Sequence, residues 1–276
     1  MVSNAQVGRV HVVAGGYPVG ALGGHDMDYA RMRILERLQE RELLTTVAGD
    51  FTDIEKWLPN SHFLITYTAG PFLDDEQNTF VRRWIDSGGR WLGLHGSTGG
   101  KAARQGEGKR RRMMKTSHHD TLGGFFISHP PIRRFDVEVT DNSHPLVQGL
   151  PATFDVVDEP YMVELQHEDT RVLLTSSWGP DPSKGTFGFD YDEDTTLMDD
   201  GKTRAIAYTR DIGKGGVTYY ALGHCHSPAS NSQPNLDPSA TEQGEDPLRL
   251  RGPWETDAYQ TMLDNAIDWG TAPPRD

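Results

Sequence analysis

The run Arg90-Trp91-Leu92-Gly93-Leu94-His95-Gly96-Ser97 carries an apolar segment straight into a histidine followed by glycine. It reads as a buried strand entering a tight turn with His95 at its apex. In α/β proteins the carboxyl end of a central strand is where ligands bind and where nucleophile elbows sit. Here an imidazole stands where a Cys or Ser nucleophile would be expected. Its chemistry is proton transfer near neutral pH or metal ligation.

Three further histidines fall at the ends of predicted elements. His25 follows Gly23-Gly24 at the start of a helix, His129 precedes Pro130-Pro131, and His224 closes the strand-like run Tyr219 to Gly223. Parallel strands point their carboxyl ends the same way, so His95 and His224 can share a rim with the loop carrying His25. Such a rim makes an acid/base pair or a three-histidine metal site of His25, His95 and His224, for which zinc or manganese is the expected ion. A capping or surface histidine is the plain alternative for each taken singly. Asp158-Glu159-Pro160-Tyr161 is a second polar knot in apolar surroundings. Its carboxylates can serve in acid/base work or orient a histidine, or they can simply close a turn. The catalytic set expected from these residues is His95, Glu159, Tyr161 and His224. Gly16, Tyr17, His25, Tyr67, Gly96, Ser97, His129 and Asp158 are expected to line the substrate site. Tyr17, Tyr67, Phe72 and Tyr161 could stack on sugar rings. Cys225 follows His224, but a lone cysteine at a strand end is more often inert.

The elements that must position these residues alternate in the first third. A strand over Val7 to Ala14 ends in Gly15-Gly16, and a helix over Asp26 to Glu42 places Ala30, Ile34, Leu35 and Leu38 on one face. Strands over Leu43 to Val47 and Phe63 to Tyr67 flank a short helix over Asp53 to Leu58. Acids at Asp74-Asp75-Glu76 open the next helix, which Gly88-Gly89 closes before the Trp91 to His95 strand. This alternation predicts an α/β fold, a doubly wound and mostly parallel sheet with helices on both faces. Lys101 to Lys115 holds seven basic residues against Glu107 and reads as a mobile loop, either a solvated surface or a lid over an anionic or polyhydroxylated ligand. Ile132 to Val139, Val156 to Val163 and Val172 to Thr175 read as strands. Trp178 to Lys202 is glycine-rich and acidic without helical or strand period, so it reads as an inserted loop, and its spacing is not that of an EF-hand. Arg204 to Thr209 and Val217 to Leu222 predict a closing hairpin, Pro228 to Pro253 a second long loop, and Trp254 to Trp269 a helix. One domain over 1–276 is expected, with irregular insertions near 97–120, 178–202 and 228–253.

Composition narrows the function classes. The chain has 276 residues, 36% hydrophobic and 24% charged, as in ordinary soluble proteins. No apolar run approaches the roughly 20 residues that span a bilayer. A net charge of −13 argues against nucleic-acid or anionic-membrane partners. One cysteine excludes an intrachain disulfide framework, and Met1-Val2-Ser3-Asn4 shows no export signal, so a cytoplasmic location is expected. No GxSxG, P-loop or dinucleotide fingerprint occurs, and no HExxH spacing supports a metalloprotease-type site.

The ordered motifs resemble the ThuA-like family (trehalose utilisation proteins), within the class I glutamine amidotransferase-like, flavodoxin-like fold. The matching pieces are Gly15-Gly16 with His25-Asp26, Ser87-Gly88-Gly89 leading into Gly93-Leu94-His95-Gly96, and Leu122-Gly123-Gly124-Phe125-Phe126 with His129. Asn142-Ser143-His144-Pro145-Leu146, Asp158-Glu159-Pro160-Tyr161 and Leu222-Gly223-His224 complete the set. In amidotransferases the elbow cysteine attacks an amide, so His95 implies that glutaminase activity is absent. The resemblance implies instead a small-molecule sugar derivative, of the 3-keto-disaccharide class, as substrate. The reaction it suggests is elimination or hydrolysis, by a lyase or hydrolase. The alternatives are a non-catalytic sugar-binding or sensory protein on the same scaffold, and a metallohydrolase of another substrate. The oligomeric state, a homo-oligomer included, is left open.

Overall fold

A computed structural model describes residues 8–16, 24–107, 110–230 and 236–273. Among these described residues thirteen strands and five α-helices follow in chain order. They are β1 (Arg9–Gly15), α1 (Met27–Glu40), β2 (Leu44–Ala48), α2 (Ile54–Trp57), β3 (Phe63–Thr68), α3 (Asp75–Asp86) and β4 (Arg90–Leu94). Then come β5 (Lys101–Arg104), β6 (Arg111–Met114), α4 (Ser117–Leu122), β7 (Gly124–Ser128), β8 (Arg133–Val139), β9 (Thr153–Asp158) and β10 (Met162–Leu165). The chain closes with β11 (Arg171–Ser177), β12 (Thr203–Ile212), β13 (Gly215–Tyr220) and α5 (Asp257–Thr271).

Nine strands form one sheet in the order β2-β1-β3-β4-β13-β12-β11-β8-β9. Pairing is parallel from β2 to β13 and antiparallel from β13 to β9. The sheet is therefore mixed. In its parallel half, Gly15 pairs with Thr68, and Leu94 pairs with both Tyr67 and Tyr220, so three neighbouring strands join β1 in ending at one level.

Alternation along these strands sorts their side chains onto two faces. Val10, Val12, Phe63, Ile65, Leu92 and Tyr220 share a core with α1 and α5, whereas Val13, Leu64, Trp91, Val217 and Tyr219 share a second core with α2 and α3. Helix starts follow their caps: the Asp26 side chain accepts from Tyr29 N–H at α1, and Asp74 forms a capping box with Gln77 at α3.

Two sequence expectations are corrected by the fold. Lys101 to Lys115 is largely a β-hairpin, β5 paired antiparallel with β6, and not an irregular loop. The strand expected over Val156 to Val163 is two strands: β9 ends at Asp158 on the main sheet, and β10 pairs with β7 in a separate one. Pro160 supplies the reason, because it donates no ladder hydrogen bond and holds the preceding residue extended. The break falls at Glu159. In a flat sheet four strand spacings would hold β9 roughly 19 Å from β13. Yet Asp158 Oδ2 accepts from Gly223 N–H at 2.8 Å, just beyond the end of β13. The antiparallel half therefore curls back, and Phe135, Val137 and Val156 join the core of α1 and α5.

Candidate metal centre

Four elements deliver side chains to one point. His95 leaves β4 at φ +43°, a left-handed conformation held from several sides. Its carbonyl accepts from the Tyr219 hydroxyl at 2.8 Å. From α4, His118 Nε2 lies 2.8 Å from the Ser97 carbonyl and His119 Nε2 lies 2.8 Å from that of Gly99. Gly96 is needed because a Cβ there would sit 2.4 Å from the Thr68 carbonyl oxygen. Glu159 arrives at the break after β9, His224 beyond β13, and His25 from the turn before α1. Two backbone ties hold these arrivals in register: Asp26 N–H donates to the Cys225 carbonyl at 2.7 Å, and the Asp158 carboxylate accepts from the N–H groups of Glu159, Gly223 and His224 at 2.8, 2.8 and 2.9 Å.

Glu159 Oε2 lies 3.3 Å from His95 Nε2, 3.3 Å from His224 Nδ1 and 3.6 Å from His25 Nε2. One donor atom from each of the four residues lies within 4.8 Å of the others. On the other oxygen, Oε1 is 3.2 Å from His129 Nδ1. Tyr161 stacks on the His95 ring with centroids 4.0 Å apart, and its hydroxyl lies 3.4 Å from His25 Nε2.

Tautomers decide what this cluster can do. His95 Nδ1 lies 2.7 Å from the Ala221 carbonyl oxygen, which can only accept, so the proton sits on Nδ1 and Nε2 presents a lone pair. His226 Nε2 lies 3.0 Å from the Pro247 carbonyl oxygen, so His226 Nδ1 is an acceptor and takes the proton of His224 Nε2 at 3.0 Å. His224 Nδ1 is then a second lone pair. Neither His95 Nε2 nor His224 Nδ1, both buried, has a hydrogen-bond partner. Two lone pairs and a carboxylate oxygen converge on one volume, an arrangement that repels itself unless a cation or proton occupies the centre. A tetrahedral ion with arms of about 2.1 Å has ligand-to-ligand edges of about 3.4 Å, close to the separations from Oε2. The donor set of three imidazoles and a carboxylate suits a divalent ion such as zinc or manganese.

The electrostatics agree with that fit. Burial pushes His95 down to about 4 and His224 down to about 3, so both rings are neutral at pH 7. Burial alone would raise Glu159, but the imidazoles around it, His129 foremost, hold its carboxyl well below the usual range.

The structure brings together His25, His95, His129, Glu159, Tyr161 and His224. The other expected residues stand around them. Tyr67 is buried behind His25 and His95, its hydroxyl donating to the Gly223 carbonyl at 2.9 Å. Ser97 Oγ donates to the Thr66 carbonyl at 2.9 Å and so braces the turn. Asp158 binds backbone, as above, and Gly16 packs against Gly70 and Thr68. Tyr17 lies outside the described residues. Burial pushes the Cys225 thiol up to about 12, which leaves it protonated and unreactive at neutral pH.

Sequence reasoning missed His226, although its i,i+2 spacing from His224 in an extended segment is the available signal. It also missed the covering of His129 by the acidic loop. Phe187 and Phe189 of that loop pack on the His129 ring at 5.4 and 6.4 Å. The basic hairpin holds the loop within the same chain: Arg110 donates to the Gly188 carbonyl at 2.6 Å, Arg112 pairs with Asp192 at 2.7 Å, and Arg111 lies over Phe189.

Fold and site together define an α/β protein with a histidine-carboxylate centre at the carboxyl ends of its parallel strands. The family described as "ThuA: Trehalose utilisation" matches residues 21–236, and the chain belongs to it. A putative ThuA-like protein from Bacteroides uniformis superposes with a TM-score of 0.63 at 17% identity, covering 98% of this chain and 95% of that one. Another from Parabacteroides merdae gives 0.58 at 15%, covering 97% and 91%. A β-galactosidase from Rahnella sp. R3 gives 0.51 at 11%, covering 79% of this chain but 29% of its own. These likenesses concern fold. No curated protein matches the sequence. Among the described residues no helix is long and apolar enough to cross a membrane.

Proposed function

We propose that this protein is a divalent-metal enzyme of carbohydrate metabolism that acts on a keto-glycoside by elimination or hydrolysis, on a scaffold we read as doubly wound about its parallel half. The observation that carries the proposal is the convergence of the bare nitrogens His95 Nε2 and His224 Nδ1 on Glu159 Oε2. The family match supplies the link to sugars.

His25, His95, Glu159 and His224 would hold the ion, which when bound would supply Lewis acidity at a substrate carbonyl oxygen. The chain's own groups then move protons. His129 stands outside the ligand set, with Nδ1 against Glu159 Oε1, the arrangement that orients a general base. In a 3-keto-glycoside the proton on C2 is acidified by the carbonyl; its removal leaves the electron pair to form C1=C2 as the C1–O bond breaks. Tyr161 donates its proton to the departing oxygen, and addition of water would complete a net hydrolysis. No nucleophile is required, in keeping with an elbow that carries His95.

The test is metal analysis of the purified protein and of its His95→Ala variant, followed by assay on a 3-keto-disaccharide. The expected result is one equivalent of zinc or manganese in the wild type and little in the variant, with turnover lost on chelation and restored by metal. A wild type that binds no ion yet turns over substrate would remove the metal from the reaction. Tight sugar binding without turnover would identify a sensory protein instead.

A further inference from the structure

His226 lies outside the ligand set, and the chemistry above does not use it. We propose that His226 is a positioning residue: it dictates which nitrogen of His224 carries the proton, and so aims the bare Nδ1 at Glu159. The inference rests on the metal reading only for its purpose; the proton placement is a property of the metal-free protein.

The argument is one of donors and acceptors. His226 is fully buried, and backbone hydrogen bonds in both directions with Leu250, at 2.9 and 3.0 Å, fix its place. Its Nε2 meets the carbonyl oxygen of Pro247 at 3.0 Å, and its Nδ1 meets His224 Nε2 at 3.0 Å. A carbonyl oxygen has no proton to give, so the chain of two neutral rings has one direction only. Were the proton on His224 Nδ1 instead, His226 would have to donate from Nδ1, and its bare Nε2 would face the Pro247 oxygen. His95 obtains the same orientation directly from the Ala221 carbonyl. His224 obtains it through a second imidazole, anchored in the long segment between His224 and α5. Pro247 lies in the Pro228 to Pro253 stretch, which sequence reading treats as a long polar loop, and its carbonyl thereby sets the ligating atom of the centre.

Two substitutions separate this role from bulk. His226→Asn keeps an acceptor oxygen near the place of Nδ1. His226→Gln places its amide near the place of Nε2, keeping the donor to Pro247 while removing the acceptor that faces His224. The experiment records long-range 1H–15N correlations of the histidine rings in the metal-free full-length protein, then titrates each protein with zinc. In the wild type we expect His224 protonated on Nε2 and bare on Nδ1, and the same in His226→Asn. In His226→Gln we expect His224 to populate the other tautomer and zinc affinity to fall by about 10- to 100-fold, the range typical of outer-shell partners of metal ligands. A wild-type His224 protonated on Nδ1 overturns the proposal, as does a His226→Gln protein with unaltered tautomer and zinc affinity. If the wild type binds no zinc but shows the stated tautomer, which His226→Gln alone disturbs, the positioning role stands and the metal reading falls.

Discussion

At the scale of single residues, the centre is organised by groups that bind backbone beside the converging imidazoles. Asp158 is the clearest case: its carboxylate gathers three backbone N–H groups from two distant parts of the chain. Burial pushes its carboxyl up, and those three donors pull the other way. An amide in its place would turn an NH2 group toward N–H donors and leave them unpaired. Asp158→Asn is therefore expected to lower stability by about 2–4 kcal/mol and to weaken metal binding, since it separates Glu159 from His224. Urea unfolding with a zinc titration checks both; unchanged midpoints would show that Asp158 does not tie the two segments. The Asp158-Glu159-Pro160-Tyr161 motif was visible as a polar knot, but its division of labour was not. Only the curl of the sheet reveals that one acid faces backbone and the next faces imidazoles.

At the scale of elements, the two irregular-looking insertions prove to be partners. Charge composition made each conspicuous without saying whether they meet. The acidic segment is organised by Arg204, which is fully buried, pairs with both oxygens of Asp194 at 2.8 and 2.7 Å, donates to the Gly179 carbonyl and lies over the Trp178 ring. Its hydrogen bond to Thr196 completes the set. Removing the guanidinium leaves Asp194 half-buried without its counter-ion, so Arg204→Met is expected to cost about 3–5 kcal/mol. The loss should appear as protease cleavage within residues 178–202 and as weaker protection of His129, whose ring is covered by Phe187 and Phe189. A variant as resistant as the wild type would show that other contacts hold the segment.

At the scale of the whole molecule, an unusual number of imidazoles is buried. Away from the histidine-carboxylate cluster, burial pushes His11 down to about 4 and His118 down to about 3, while an unfolded histidine titrates near 6.5. Between those values the unfolded chain binds more protons than the folded one, so stability is present above pH 6.5 and is lost as pH falls toward the folded values. Each of the two rings should contribute a loss of about 2 kcal/mol between pH 7.5 and pH 5.0. Urea unfolding of the metal-free protein at those two pH values is the measurement. Equal midpoints would mean that these rings are hydrated in the folded state.

Local pattern settled a good deal of this. Apolar runs, caps and glycine punctuation placed β1, α1, β3, α3 and β4 within a few residues, because short-range sterics and capping act where they are written. The same reasoning picked out His25, His95, Glu159 and His224 as residues with chemistry to do. Tertiary structure alone decided that they meet. Glu159 is brought to His224 by a curl across several antiparallel strands, whose register depends on pairings far apart in sequence. Which nitrogen of His224 is bare depends on the Pro247 carbonyl, 23 residues further along the chain. Tautomers follow the nearest acceptor in space, and proximity in space is what a one-dimensional pattern does not carry.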